Sequence, residues 1–188
     1  FKNINSIIEF ENVSFSYEKQ NNVIDDYNLS LKSGSTNAIV GTTGSGKSTL
    51  IKLLNRFYDC KSGSILIDGI DIKEYNLQSL RRNIGVVSQE IHLLSETIYN
   101  NITLFNKNIS LAEDEEAAKQ IGLHEFISSL PNGYNYNVLE RGVGLSTGQR
   151  QLISFLRVYL KNPKILILDE ATSSIDTFSE KLIKKATK

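Results

Sequence analysis

The spacing of hydrophobic positions changes along the chain and predicts mainly strands in its first third. Four runs rich in β-branched and aromatic residues, some with partial alternation, predict strands at 7–17, 23–34, 37–41 and 63–69. One stretch among them, 46–58, has helical spacing instead, with apolar side chains three or four residues apart at Leu50, Leu53, Leu54 and Phe57. This part of the chain is therefore predicted to be a β-rich unit that contains one helix.

Between about residues 90 and 149 the apolar spacing becomes helical. Ser110 and Glu113 have the spacing of a capping box, in which each side chain accepts a hydrogen bond from a backbone N–H at the helix start. Gly122 is typical of the residue that follows such a helix, and a loop rich in helix breakers occupies 130–144. We expect residues 90–149 to form a helical subdomain inserted into the rest of the chain.

The last part of the chain returns to a strand pattern and then to a helical one. Residues 163–174 contain the run ILIL, typical of a strand that is covered on both faces. An amphipathic helix is predicted after it, with apolar positions at Ile175, Phe178, Leu182, Ile183 and Ala186. The alternation of strands and helices predicts an α/β fold with a mainly parallel core sheet, an N-terminal antiparallel β subdomain and the α-helical insertion.

Composition narrows the class of protein without identifying it. The 188 residues carry 21 Lys and Arg against 21 Asp and Glu, so no net charge draws the chain to nucleic acid. A single cysteine, Cys60, excludes an internal disulfide framework and is typical of a reducing compartment. The longest apolar runs are too short to cross a membrane.

The strongest chemical signal is GTTGSGKST at 41–49, which matches the pattern G-x-x-x-x-G-K-[ST] between a predicted strand and a predicted helix. Glycines let the backbone wrap closely around phosphates, and Lys47 would reach the β and γ phosphates. Ser48 would bind Mg²⁺. A glycine-rich turn with a solvated lysine is the alternative interpretation. The residues expected to contact the nucleotide here are Gly41, Thr42, Thr43, Gly44, Ser45, Gly46, Lys47, Ser48 and Thr49. The motif indicates a P-loop NTPase core.

Two acidic residues follow the predicted strand ILIL. Ligands of a doubly wound sheet gather at the carboxyl ends of its strands, where Asp169 and Glu170 are expected to lie. Asp169 would hold Mg²⁺, and Glu170 would polarise a water molecule against the γ-phosphate. Alone, the pair could equally be two solvated carboxylates.

A second possible anion site opens the helix that follows residue 145. Ser146 and Gln149 have capping-box spacing, and Gly142, Gly144 and Gly148 crowd the same entrance. A helix start of this kind offers N–H donors and the positive end of the helix dipole. The chain thus has one more phosphate-binding feature than a single nucleotide needs.

The phosphate loop, LSTGQ (145–149) and ILILDE (165–170), in this order, resemble the nucleotide-binding domain of an ABC (ATP-binding cassette) transporter, and the resemblance covers essentially the whole chain. It implies that Tyr17 stacks on adenine and that Gln89 contacts Mg²⁺ and the attacking water. It also implies that the loop SSID (173–176), with Asp176, crosses to a partner subunit. LERG (139–142) is similar to an element of ABC exporters.

The resemblance also implies what the second anion site is for. Two such domains meet head to tail, so that Ser146, Gly148 and Gln149 of one close over the ATP held by the other. The implied function is hydrolysis of Mg-ATP that powers export through transmembrane domains, at the cytoplasmic face of a membrane, with no nucleic acid and with the transported substrate bound elsewhere. Whether the dimer is a homodimer or a heterodimer stays open.

Two features depart from the family pattern. Thr147 stands where a second glycine is usual, and a β-branched residue disfavours positive φ, so we expect ordinary helical or extended backbone there. The switch histidine of the family lies in a strand after the final helix and is not reached by this sequence. His92 and His124 lie upstream of that position, in the insertion, and each is expected to be a surface or partly packed imidazole. We therefore expect an ABC ATPase domain truncated at its C-terminus, with its core at about 1–89 and 150–188 and membrane spans before Phe1.

Two other classes of protein fit the sequence less well than the exporter. A soluble ABC ATPase acting on nucleic acid usually carries long coiled-coil or zinc-bearing insertions, whereas this insertion is short, lacks heptads and has too few cysteines for a zinc site. A generic P-loop kinase or GTPase has no use for LSTGQ.

Overall fold

The computed structural model describes residues 7–18, 22–88 and 90–169. The chain divides into two compact units, Phe1–Ile84 and Gly85–Lys188, which are described one after the other. The predicted features at Gln89, Glu170, 173–176 and 175–186 lie outside the described residues.

The first unit contains an antiparallel sheet of four strands in the order β2-β1-β3-β4. Its strands are β1 (Ile8–Phe15), β2 (Ile24–Leu31), β3 (Ser62–Ile67) and β4 (Ile70–Asp71). The predicted antiparallel β subdomain is thus confirmed, and three of the four predicted strands form close to their expected bounds.

A bulge explains why the alternation in β1 is only partial. Ile8 and Phe10 are buried at even positions, whereas Val13 and Phe15 are buried at odd ones. The pairing register shifts between Phe10 and Val13, next to Asn12 with a φ of 48°. Because one extra residue reverses which face a side chain occupies, both halves of the strand turn their apolar residues to the core.

The prediction of a buried strand at 37–41 is wrong for the structure as described. The segment belongs to no ladder, and the side chain of Val40 is 88% exposed. A strand needs the hydrogen bonds of a neighbouring strand, and this apolar run has no such neighbour among the described residues. Apolar composition alone did not determine the segment.

The first unit also contains two helices among its described residues. They are α1 (Lys47–Leu54), which buries Thr49, Leu50, Leu53 and Leu54, and α2 (Leu77–Asn83). The helix predicted at 46–58 ends earlier than its apolar spacing suggests, because Arg56 has a φ of 49° and the chain turns there. Phe57, expected on the apolar stripe, is instead 59% exposed.

In its described residues, the second unit has helices between two hydrogen-bonded strands. Its elements are β5 (Ile84–Val87), α3 (Ile98–Thr103), α4 (Leu111–Gln120), α5 (His124–Ser129), short 3₁₀ turns at Gly133–Asn135 and Glu140–Gly142, α6 (Thr147–Tyr159) and β6 (Ile165–Leu168). Helix α6 supplies several of the largest fully buried side chains, among them Ile153, Phe155 and Leu156. A helical connection between neighbouring strands is the arrangement typical of α/β proteins. Among the residues that the structure describes, no helix is long and apolar enough to cross a membrane.

One carboxyl group in this unit is buried without a hydrogen-bonding partner in the described structure. Asp114 of α4 is 0% exposed, and neither of its carboxylate oxygens has such a partner. Burial, with a smaller contribution from Glu115, raises the pKa of Asp114 from 3.8 to about 7. The neighbouring Tyr134 hydroxyl has its pKa raised as well, mainly by burial and then by Asp114. Helix α4 therefore carries an acid that stays protonated well above its usual range.

Candidate nucleotide site

The phosphate loop closes on itself before α1 begins. The backbone N–H of Ser45 donates to the carbonyl of Thr42 at 3.1 Å, and Lys47 Nζ donates to the carbonyls of Gly41 and Thr42 at 2.8 and 3.0 Å. The ammonium group of Lys47 is therefore held by two carbonyl oxygens of its own loop.

Only glycine fits at position 46 of the loop. Gly46 precedes α1 with a φ of 90°, and a Cβ there would lie 2.5 Å from Ile24 Cδ1 and 3.2 Å from the carbonyl oxygen of Val23. Both the backbone angle and the close approach to β2 exclude a side chain. The loop is thus packed against the first sheet at the point where the helix starts.

The start of α1 is open to an anion. No side chain caps it, its first turn has no acidic residue, and the Ser48 side chain is exposed. The free N–H groups and the helix dipole favour a negative charge at such an end. Ser48 offers an exposed hydroxyl oxygen, a ligand type that Mg²⁺ accepts.

An aromatic cluster lies beside the same helix. The Tyr17 hydroxyl and Thr49 Oγ1 are 3.1 Å apart, and Lys52 Nζ lies 5.5 Å from the centre of the Tyr17 ring. Tyr17 is 46% exposed, and its ring meets those of Phe15 and Tyr58 edge to face, with centroids 5.0 and 5.2 Å from its own. The sequence-predicted adenine contact and the phosphate loop are therefore brought together by one helix.

In the second unit, the start of α6 has the predicted capping box. Gln149 N–H donates to Ser146 Oγ at 3.1 Å, and Ser146 N–H donates to Gln149 Oε1 at 2.8 Å. Thr147 is the first helical residue, as expected from its β-branched side chain, and Gly148 is buried. Ser146 is exposed, so its surface can meet a group from outside the unit.

The glycines before this helix allow the chain to approach it closely. Gly142 has a φ of 77°, and a Cβ on it would lie 2.7 Å from Arg150 Cδ. Arg150 in turn donates from Nη2 to Thr147 Oγ1 at 3.0 Å. The turn at 140–142 thus packs against the first turn of α6, which fixes how the helix start is presented.

Asp169 follows β6 at the end where that strand meets β5. Its backbone N–H donates to the carbonyl of Val87 at 3.0 Å, and its side chain is partly exposed. Gln89 follows Val87 by two residues in the sequence, and Glu170 follows Asp169 directly. Asp169 therefore presents a partly exposed carboxylate directly after the end of β6.

Sequence reasoning missed a buried polar network behind α6. Asn101 is 0% exposed and donates from Nδ2 to the carbonyls of Leu94, Glu96 and Thr97. Arg157 donates to the carbonyl of Asn101 at 2.8 Å, and burial lowers its pKa. The available signal was a polar residue between the apolar positions 98 and 102 of a helix.

The two histidines lie where the sequence predicted. His92 is on the surface, with its side chain 85% exposed and Nε2 3.9 Å from Glu90. His124 is partly packed, with Nδ1 3.0 Å from the Tyr134 hydroxyl.

Comparisons with known proteins agree on the type of domain. The family model described as ABC transporter matches residues 24–173. A putative multidrug export ATP-binding/permease protein of Bacillus subtilis is 53% identical over 180 residues, which are 95% of this chain and 31% of that protein. A similarly named protein of Staphylococcus aureus is 49% identical over 180 residues, again 31% of its length.

A solved structure extends the likeness to the fold. The structure of a bacterial Atm1-family ABC exporter with ATP bound superposes with a TM-score of 0.91 at 41% identity, covering 99% of this chain and 33% of that one. The predicted α/β fold with a P-loop NTPase core is thereby confirmed. The chain spans about a third of the length of these relatives.

Proposed function

Because the chain belongs to the ABC transporter family and is an ATP-binding domain of the exporter type with ATPase activity, we propose that it powers export through transmembrane domains. Those domains would lie in the same polypeptide, since the relatives are named ATP-binding/permease proteins and are about three times as long. The domain would then work at the cytoplasmic face of a membrane. Its core would be formed by 1–89 and 150–188, and its helical subdomain by 90–149.

One observation carries the nucleotide assignment. Helix α1 begins with Lys47 at the phosphate loop and, within its next two turns, contacts the exposed ring of Tyr17 through Thr49 and Lys52. A single helix thus joins a site for phosphates to a site for a flat ring. This pairing matches ATP, because an aromatic face stacks on the base while the loop N–H groups hold the phosphates.

In the proposed reaction Lys47 leaves the carbonyls of Gly41 and Thr42 and binds the β and γ phosphates. Ser48, Asp169 and Gln89 would hold Mg²⁺, because their hydroxyl, carboxylate and amide oxygens are the ligand types that fit this ion. When bound, Mg²⁺ would neutralise charge on the phosphates. Glu170 would polarise the attacking water, and Gln89 would contact it.

The exposed, capped start of α6 supports a composite site. Ser146 is exposed, and its hydroxyl caps the helix by accepting a hydrogen bond from Gln149 N–H. This cap fixes the direction in which the N–H groups of the first helical turn point. We infer that Ser146, Gly148 and Gln149 close over ATP held by a second copy or a related domain. The comparisons favour this transport role over a soluble ATPase acting on nucleic acid.

The test is nucleotide binding and turnover by the intact protein. Lys47→Ala should abolish measurable Mg-ATP binding at its own site and abolish ATPase activity. Lys32→Ala is the matched control, because Lys32 is an exposed lysine of the same unit outside the loop. Binding and turnover by the Lys47 variant at the level of the control would contradict the assignment.

A further inference from the structure

Although Tyr17 is partly exposed, its side chain contacts those of Thr49, Phe15 and Tyr58. Its hydroxyl lies 3.1 Å from Thr49 Oγ1, and the buried Phe15 packs against it at an interplanar angle of 85°. Tyr58 is the third neighbour, 5.2 Å away between centroids and at 87°. Aromatic pairs prefer this perpendicular arrangement, and it restricts how far either ring can rotate.

Tyr58 stands on a backbone segment that is itself anchored. Arg81 of α2 donates from Nε to the carbonyl of Asn55 at 3.0 Å and from Nη2 to that of Arg56 at 2.9 Å. Arg56 reaches in the other direction, donating from Nη1 to the carbonyls of Ile72 and Tyr75. The turn that carries Tyr58 is therefore fixed to two neighbouring parts of the unit.

The neighbouring aromatic residue has a different role. Phe57 is 59% exposed and packs under the guanidinium of Arg81, whose Cζ lies 4.8 Å from the ring centre. Tyr58, by contrast, packs against both Phe15 and Tyr17. Of two adjacent exposed aromatic residues, only Tyr58 belongs to the cluster around the predicted adenine contact.

We propose that Tyr58 is a positioning residue for nucleotide recognition: its ring, carried on the turn that Arg81 of α2 anchors, holds Tyr17 at the angle that presents an open face to the base of a nucleoside triphosphate. This role of Tyr58 rests on the proposed function, and Tyr58 is not among the residues proposed there to bind the nucleotide. A preorganised ring loses less conformational entropy when the base stacks on it, so the benefit appears in affinity for the base and not for the phosphates.

The experiment measures dissociation constants of the intact protein for two probes, Mg-ATP and inorganic tripolyphosphate with Mg²⁺, by calorimetry. Tyr58→Leu should weaken Mg-ATP binding by about two- to tenfold, which corresponds to the worth of one aromatic pair, and leave tripolyphosphate binding unchanged. Tyr58→Phe keeps the ring and should bind Mg-ATP like the parent. Phe57→Leu is the matched control and should change neither constant.

A double-mutant cycle isolates the action through Tyr17. In a Tyr17→Ala background, Tyr58→Leu should have no further effect on Mg-ATP. Equal loss for both probes, an undiminished loss without Tyr17, or no loss at all would each overturn the proposal. If the parent protein binds neither probe, the proposed function itself fails; if it binds both and Tyr58→Leu is silent, only this inference fails.

Discussion

Replacing Asp114 by Asn should stabilise the second unit, and should do so far more at pH 8 than at pH 5. The side chain is fully buried and its carboxylate oxygens have no hydrogen-bonding partner among the described residues. Asn keeps the size of the side chain and carries no charge at either pH. The variant therefore removes the pH-dependent cost of ionising a buried acid.

The magnitude follows from the raised pKa of Asp114, about 7 against an ordinary value of 3.8. Between these values the unfolded chain has lost the proton while the folded protein still holds it, so stability falls as the pH rises and levels off above the folded pKa. Each unit of separation is worth about 1.4 kcal/mol. From pH 5 to the folded pKa the advantage of the variant over the parent should therefore grow by about 3 kcal/mol.

The assay is urea unfolding of parent and variant at both pH values, followed by a signal from the second unit. Glu116→Gln is the control, because Glu116 is an exposed carboxylate on the same helix. A pH effect shared by both variants would not come from the burial of Asp114. A difference between Asp114→Asn and the parent that is the same at pH 5 and pH 8 would refute the reasoning, since Asp114 would then ionise normally in the folded protein.

Three further predictions concern the nucleotide site. Tyr17→Ala should weaken Mg-ATP binding by about tenfold or less, and GTP should be accepted by the parent, because stacking contacts a ring face more than a hydrogen-bond pattern; equal affinities of parent and variant in a titration would contradict this. Glu170→Gln should keep Mg-ATP binding, and its ATP-bound dimers should accumulate and be detected by size-exclusion chromatography. Asp169→Asn should instead weaken the dependence of the activity on Mg²⁺. If the Glu170 variant hydrolyses ATP at the parental rate, Glu170 has no part in the mechanism. Ser146→Arg and Lys47→Ala should each prevent nucleotide trapping alone, yet mixed dimers should trap about one nucleotide, since one site then has both defects and the other none; no recovery on mixing would mean that Ser146 serves its own subunit.

Features set by neighbours in the sequence were predictable from it. The capping boxes at Ser110 and Ser146 each join residues three apart, so the local pattern contains every atom that makes them. The phosphate loop is similar, because its lysine folds back on carbonyls only five and six residues away. Thr147 has helical backbone, one of the two conformations expected for its branched side chain.

What the tertiary structure decided involves partners distant in the sequence. The bulge at Asn12 sets which face of β1 is buried, and it depends on pairing with β2. Tyr17 finds Thr49 at a separation of 32 residues, and Arg157 finds Asn101 at 56. No periodicity encodes such distances, because each depends on how separate elements pack.

The wrong prediction at 37–41 and the unforeseen burial of Asp114 have the same physical origin. An apolar run becomes a strand only if another strand supplies hydrogen bonds, and an acidic residue on a helix becomes buried only if another element covers it. The sequence by itself determined the local motifs, the capped helices and the chemistry of the phosphate loop. Packing between distant elements determined the sheet register, the setting of Tyr17 and the raised pKa of Asp114, because burial and long-range hydrogen bonds exist only once the chain has folded.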